Sequence, residues 1–540
     1  MMNQRATAPE KVDVLIIGAG ASAAAFAWSL ADTRMHILCI EQGDWVDHRN
    51  YPVTGMDYAA RPDFSSDPNV RKARADYPVN CEDSDIAVAN YNGVGGGTVL
   101  YAAHFPRLHP SDFRAKTLDG VADDWPISYD TLEPFYAIND KMMGVAGLAG
   151  DPAYPPKQPV MPPVPLGRSG TVLARGYNQL GWHWWPADIA INTETYDGRE
   201  KCINLGACGI GCAQGAKGSV DVTYWPVAIR AGVELKTRCR VSEITVGPDG
   251  LATGVVYIDP DGNEIAQGAS LVVVACNGIG TPRLLLNSTS AQFPNGLANS
   301  SGLVGKNLMF HPYVGVEGVF EEELDGNRGP HKGILCHEFY ETDPSRDFVR
   351  GFGFEMHRGH GPVSSAVLSM LSGRTPWGEG HHRAYREVVD RVVGVVGVCE
   401  DLPELHNEVV LDPELTDSDG VPAAKVNYTV GENSKKMMQF VLERGREVMR
   451  AAGAKEIFRE IAPVRPAGWH NLGTTRMGTD PSSSVVNEWG RCHDVKNLFI
   501  IDGSLFVTSG AVNPTPTIQA LALYVAEAIK DKLADASLFD

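Results

Sequence analysis

No stretch of this chain is an unbroken apolar run long enough for a membrane-spanning helix, so no transmembrane segment is expected. Cysteine is scarce, 10 in 540 residues, which excludes a disulfide scaffold. Several of these residues (Cys39, Cys276, Cys399) lie inside apolar, strand-like runs where a small hydrophobe packs. Positive charge is in deficit, since 47 Lys and Arg against 66 Asp and Glu leave a formal net charge of −19. That sign repels phosphate backbones and anionic headgroups, so neither nucleic acid nor a membrane surface is an expected partner. The opening MMNQRATAPEK has no apolar core and no twin arginine, hence no recognisable export signal, and a cytoplasmic location is expected. Internal repeats and low-complexity tracts are also absent.

The remainder is ordinary for a large globular protein: 43% hydrophobic and 21% charged residues over a length that implies roughly two to four domain-sized units. Val12 to Ile17 (VDVLII) reads as a buried parallel strand running into Gly18, Ala19 and Gly20, with the helix formers ASAAAFAWSLA behind them. Gly18 would make the tight turn and Gly20 would allow a pyrophosphate to approach. The helix start at Ala21 and Ser22 would offer its free N–H groups, and Ala23 would keep the helix close to the strand. A second strand ends at Glu41, about twenty residues on, where a carboxylate can accept hydrogen bonds from the adenosine ribose. This unit predicts a dinucleotide site but does not divide FAD from NAD.

Five separated blocks resemble the glucose-methanol-choline (GMC) oxidoreductase family in order and spacing. They are NGVGGGTVLYAAHFPR from Asn92, DDWPISYDTLEPFY from Asp123, CNGIGTPRLLLNS from Cys276, GWHNLGTTRMG around His470, and NLFIIDGSLFVTSGAVNPTPTIQALAL from Asn497. The resemblance implies FAD, with Gly95, Gly96, Gly97 and Thr98 in a loop against flavin and pyrophosphate, and Val241 near the adenine. It also puts Asp502 and Gly503 at the cofactor, and Pro514 and Thr515 at a helix start facing the flavin pyrimidine ring. Some members bond the flavin covalently through a histidine. Leu100 and Tyr101 stand near that position here and His104 lies too far along, so non-covalent FAD is expected.

Oxidising an alcohol requires a base beside the hydroxyl while hydride leaves carbon, and a neutral histidine suits that task near pH 7. The resemblance assigns it to His470, with Asn513 as the amide that hydrogen-bonds the same oxygen. His493, before a strand, is expected to be structural. The expected function is FAD-dependent oxidation of an alcohol CH–OH group, with a sugar or glycoside, or an aromatic alcohol, as substrate. A lyase or isomerase of the same fold that uses FAD without redox chemistry is the alternative.

The expected fold class is α/β, a Rossmann-like FAD-binding domain with a parallel sheet and a second, substrate-binding domain on a mostly antiparallel sheet covered by helices. Residues 1–310 and 466–540 would form the first, with a cysteine-containing insert at about 150–225, and 311–465 the second. Tyr154 to Pro165 is too proline-rich for a helix. YVGVEGVF, DFVRGFGFEM, VVGVVGVCE and NEVVLDPEL suggest strands of one antiparallel sheet, and Lys435 to Ala452 a helix on it. His381 and His382 are read as a loop. Cys202, Cys208 and Cys212 are glycine-spaced and able to gather three thiolates around an iron-sulfur cluster, against a structural thiol or disulfide cluster as the other reading. No other metal site is expected. With a cluster, an electron-acceptor protein or small subunit becomes an expected partner, and export on that partner's signal stays open. Oligomeric state has no signal in the chain.

Overall fold

The strand Val12–Ile17 is buried except at Asp13, as a strand flanked on both sides must be. In this computed structural model, which describes residues 6–7, 10–53, 76–461, 465 and 467–534, it sits mid-sheet. Residues 1–5, the start of the segment read for a leader, and the boundary residue 466 lie outside the described residues. Ile37–Ile40 runs parallel on one side, and the second half of Glu264–Val274 on the other, so that Ile17 lies opposite both Ile40 and Val274. Glu234–Lys236 and Leu498–Ile500 extend this parallel array outward. The antiparallel pair Arg240–Val246 and Ala252–Ile258 joins the first half of Glu264–Val274 through Ala252–Ile258, and Ala6–Thr7 pairs with that half in parallel, completing an eight-stranded sheet. Helix Ala21–Leu30 buries Ala23, Phe26 and Leu30 in one core with Ala522, Val525 and Ile529 of the C-terminal helix Thr515–Ala534.

The second sheet has six strands in the order Glu456–Ile461, Tyr313–Val319, Val392–Cys399, Phe352–His357, Ile334–Cys336 and Trp184–Pro186, antiparallel throughout. Helix Glu432–Ala452 covers one face, where Met437, Val441 and Met449 share a core with Val314, Val316 and Val395. Gly445 lets that helix approach closely, since a Cβ there would stand 2.8 Å from Val316 Cγ2. Alternation along the strands sends Tyr313, Glu317, Glu355 and His357 to the opposite face.

Three expectations need correction. NEVVLDPEL does not join this sheet: Glu408–Thr416 pairs with Pro422–Asn427, which pairs with Val79–Asn80 in a separate three-stranded sheet. Its outer half is exposed, whereas the central strands Tyr313–Val319 and Val392–Cys399 are buried on both faces, so its pattern belongs on an edge. Trp184–Pro186, from the cysteine-containing insert, supplies the outer strand of the six-stranded sheet. His381 and His382 begin a short exposed helix, His381–Arg386, instead of a loop. The proline-rich 154–165 stretch has no helix and only an isolated bridge, Ala146 to Met161. Among the described residues no helix is long and apolar enough to cross a membrane.

Candidate active site

The turn after Val12–Ile17 opens on a cleft of about 1390 Å³ that runs from Glu41 and Val241 at one end to His470 and Pro514 at the other. Gly18 has φ +93°, and a Cβ there would stand 2.7 Å from Ala275 O, so only glycine fits. Gly20 is different. Its backbone is extended (φ −77°, ψ −163°) and a Cβ would meet nothing within 4 Å, so its missing side chain leaves room in the cleft itself. Gly97 faces open space in the same way. Helix Ala21–Leu30 begins beside Gly20 with no side-chain cap and no acid in its first turn, leaving its first N–H groups free for an anion.

Ala21, Ser22, Gly96, Gly97, Thr98, Asp502, Gly503 and Thr515 also line the cleft. Gly96 sits directly on the first turn, where a Cβ would be 2.9 Å from Gly20 Cα. Gly95 lies outside the lining residues. It holds φ +104° and donates its N–H to Ala19 O at 3.0 Å, shaping the loop from behind. Glu41 is buried and accepts the Ala19 and Gly43 N–H groups at 2.8 Å each; burial pushes its carboxyl up and those bonds pull it back. Asp502 accepts from Ser504 N at 2.9 Å and Asn277 N at 3.0 Å, tying two sequence blocks together beneath the cleft. An open glycine cradle at an uncapped helix start, with an acid along the wall, fits a dinucleotide.

At the far end, strand Tyr313–Val319 and the turn before it bring His311 and Tyr313 to His470. His311 Nε2 lies 2.8 Å from Gly510 O, and its Nδ1 lies 2.8 Å from His470 Nδ1. A carbonyl only accepts, so His311 Nε2 carries the hydrogen. Burial brings His311 down to about 4, so the ring is neutral and its Nδ1 is a bare lone pair. His470 Nδ1 must then be the N–H, and its Nε2 is left unprotonated, with no protein partner among the described residues. Tyr313 OH, 3.2 Å from the same Nδ1, adds a second contact. Burial holds the half-buried His470 well below its ordinary 6.5, with His311 beside it pushing the same way.

Asn513 is absent from the cleft lining, although its neighbours Pro514 and Thr515 are present. Its Oδ1 lies 2.7 Å from His104 Nδ1, and that nitrogen is also 2.7 Å from Glu355 Oε1. His104 and Glu355 both act on His470 electrostatically, Glu355 raising and His104 lowering its basicity. His311, Tyr313, His104 and Glu355 were not foreseen, nor were Tyr77, Asn90 and Arg283 on the cleft wall. Burial is the common cause: a histidine in an apolar strand reads as core until its partners are known. The Trp182 to Trp185 aromatics do not line the cleft. His493 pairs with Ser484 Oγ at 2.8 Å, a structural bond.

The ten cysteines are free thiols. Burial pushes Cys208 up to about 11 and also raises Cys202, both in the loop that carries Cys212. Among the described residues the set whose ligand atoms converge within 4.8 Å is Glu317, His357 and His360, not these three. The iron-sulfur reading gains no support. The Glu317 set is itself charge-paired, since Arg459 Nε donates to Glu317 Oε2 at 2.6 Å.

Residues 12–313 and 403–522 match the N-terminal and C-terminal domains of the family described as GMC oxidoreductase. The chain is 41% identical to 2-methyl-1,2-propanediol dehydrogenase of Mycolicibacterium austroafricanum over 98% of this chain and 97% of that one. It is 30% identical to the fructose dehydrogenase large subunit of Gluconobacter japonicus, covering 96% of this chain and 98% of that one. Among solved structures, pyridoxine 4-oxidase from Mesorbium loti superposes with TM-score 0.65 at 17% identity, over 96% and 99% of the two chains. Formate oxidase of Aspergillus oryzae RIB40, whose FAD modification has been probed by mutation, gives TM-score 0.67 at 15% identity over 98% and 100%. The chain belongs to the GMC oxidoreductase family, a family of flavoproteins, and is an oxidoreductase.

Proposed function

We propose that this protein oxidises an alcohol CH–OH group to a carbonyl, with His470 Nε2 as the base, Asn513 as the amide that binds the oxygen, and FAD held non-covalently along the cleft. When bound there, FAD supplies an acceptor for the hydride that leaves the alcohol carbon. The observation that carries the reading is the chain Gly510 O to His311 to His470, which leaves one imidazole lone pair bare at the cleft end. His470 Nε2 takes the hydroxyl proton, and the Asn513 N–H groups hold the developing alkoxide without adding a competing charge. Pro514 and Thr515 start helix Thr515–Ala534 at the cleft, so its positive end favours negative charge beside the site.

A relative named for a small branched diol and another named for fructose support a polyhydroxylated aliphatic substrate over an aromatic one. The test is anaerobic mixing of holoenzyme with 2-methyl-1,2-propanediol, fructose and benzyl alcohol while the visible flavin band is followed. Bleaching by the aliphatic alcohols is expected. If no alcohol bleached it, oxidation would be ruled out and non-redox use of FAD would take its place.

The same geometry fixes the pH dependence. Protonating His470 removes the base, and burial moves that event below the ordinary 6.5. The rate of flavin reduction should therefore stay level as pH falls through 6.5 and decline only at lower pH. A half-maximal rate near pH 7 would contradict a buried, neutral base.

A further inference from the structure

An amide has two opposite ends, and which one faces the cleft decides whether Asn513 donates to an alkoxide or repels it. Two buried side chains and one half-buried lysine bear on that choice. Glu355, 3% exposed on strand Phe352–His357, receives Lys332 Nζ at 2.8 Å on Oε2 and faces His104 Nδ1 at 2.7 Å on Oε1. Burial would raise its carboxyl, but the Lys332 ammonium and His104 outweigh that and hold it well below the usual range. An ionised carboxylate only accepts, so His104 Nδ1 is an N–H. The same N–H lies 2.7 Å from the Asn513 amide, which must therefore offer its oxygen. The other nitrogen of the ring, Nε2, is buried with no partner, so among the described residues the ring's side-chain bonding runs through Nδ1 alone.

We infer that Lys332, Glu355 and His104 are positioning residues that lock Asn513 with its oxygen turned inward and its N–H groups turned to the substrate oxygen. This rests on the role given to Asn513 above. Without the lock the amide can turn its oxygen to the alkoxide, and every molecule in which it has done so lacks the donor.

The test is a double-mutant cycle on FAD-loaded enzyme with 2-methyl-1,2-propanediol, read as the limiting rate of anaerobic flavin reduction and as calorimetric affinity for the non-oxidisable alcohol 2-methyl-2-propanol. His104→Leu should slow reduction about tenfold and weaken the tertiary alcohol, as expected if about nine in ten amides then turn their oxygen to the substrate, and short of the ~10²–10³-fold cost of removing such a donor outright. His104→Asn, which keeps an N–H where Nδ1 stands, should restore most of both. In an Asn513→Ala background His104→Leu should change neither quantity more than about twofold, because nothing is left to orient. A general packing defect would act equally in both backgrounds. Equal losses in the two backgrounds, no loss in either, or an asparagine variant as slow as leucine would each overturn the inference. Should leucine cost FAD binding, His104→Phe keeps a flat ring without the donor and is read in the same way. Failure of the parent reading looks different: Asn513→Ala alone would then reduce its flavin at the wild-type rate.

Discussion

Replacing His470 by alanine should slow flavin reduction by about 10³-fold or more, toward the upper end of what a positioned general base contributes, while the protein still carries FAD. The two halves of that expectation have separate causes. FAD retention depends on the opposite end of the cleft, where Gly18, Gly20, Glu41 and the start of helix Ala21–Leu30 lie, and His470 touches none of them. The rate depends on a lone pair at Nε2 whose existence follows from Gly510 O holding a hydrogen on His311 Nε2. With the imidazole gone, solvent hydroxide has to ionise the alcohol, so the residual rate should climb steadily with pH where the wild type is level. Stopped-flow mixing without oxygen, on samples matched for flavin absorbance, measures both. A variant that reduced its flavin at the wild-type rate would remove His470 from the reaction.

The strand, turn, helix and acid of the opening unit were legible because each rests on local chemistry: a β-branched run, two glycines, small helix formers, and a carboxylate at a strand end. Helix Glu432–Ala452 was legible for the same reason, from the helical spacing of Met438, Val441 and Met449. Sheet membership was less so. Glu408–Thr416 carries a strand pattern, but which sheet takes a strand is a matter of distant partners, and its pairing with Pro422–Asn427 drew it away from Tyr313–Val319. The proposed catalytic end was legible only as far as the family motifs reach, to His470 and Asn513. The residues that set their hydrogen-bond directions come from elsewhere in the chain: His104 is 409 residues from Asn513, and His311 is 159 from His470. A lone histidine in MFHP or AAHFP carries no mark of such a role in the sequence, because the role consists of a contact.

Gly20→Leu is expected to give a folded protein that holds FAD more weakly, and Gly18→Ala a poorly folded one, although both substitutions strike the same fingerprint. At Gly18 a side chain meets Ala275 O at 2.7 Å in a left-handed backbone, so the damage falls on the sheet itself whether or not a cofactor is present. At Gly20 the backbone is extended and nothing of the protein lies within 4 Å of the added Cβ, so the apoprotein has no reason to object. The leucine then fills space between the helix start and Gly97, where a bound pyrophosphate is proposed to lie. Overpacking of this kind costs on the order of 1–3 kcal/mol, or about 5- to 150-fold in FAD affinity. Calorimetry with FAD on the apoprotein gives that number directly, and thermal unfolding separates the two glycines. Added FAD should raise the melting temperature of the wild type more than that of Gly20→Leu, whose apoprotein should melt where the wild-type apoprotein does. If Gly20→Leu bound FAD as tightly as the wild type, the open face of that glycine would not be the cofactor cradle, and the cleft would have to hold its ligand elsewhere along its length.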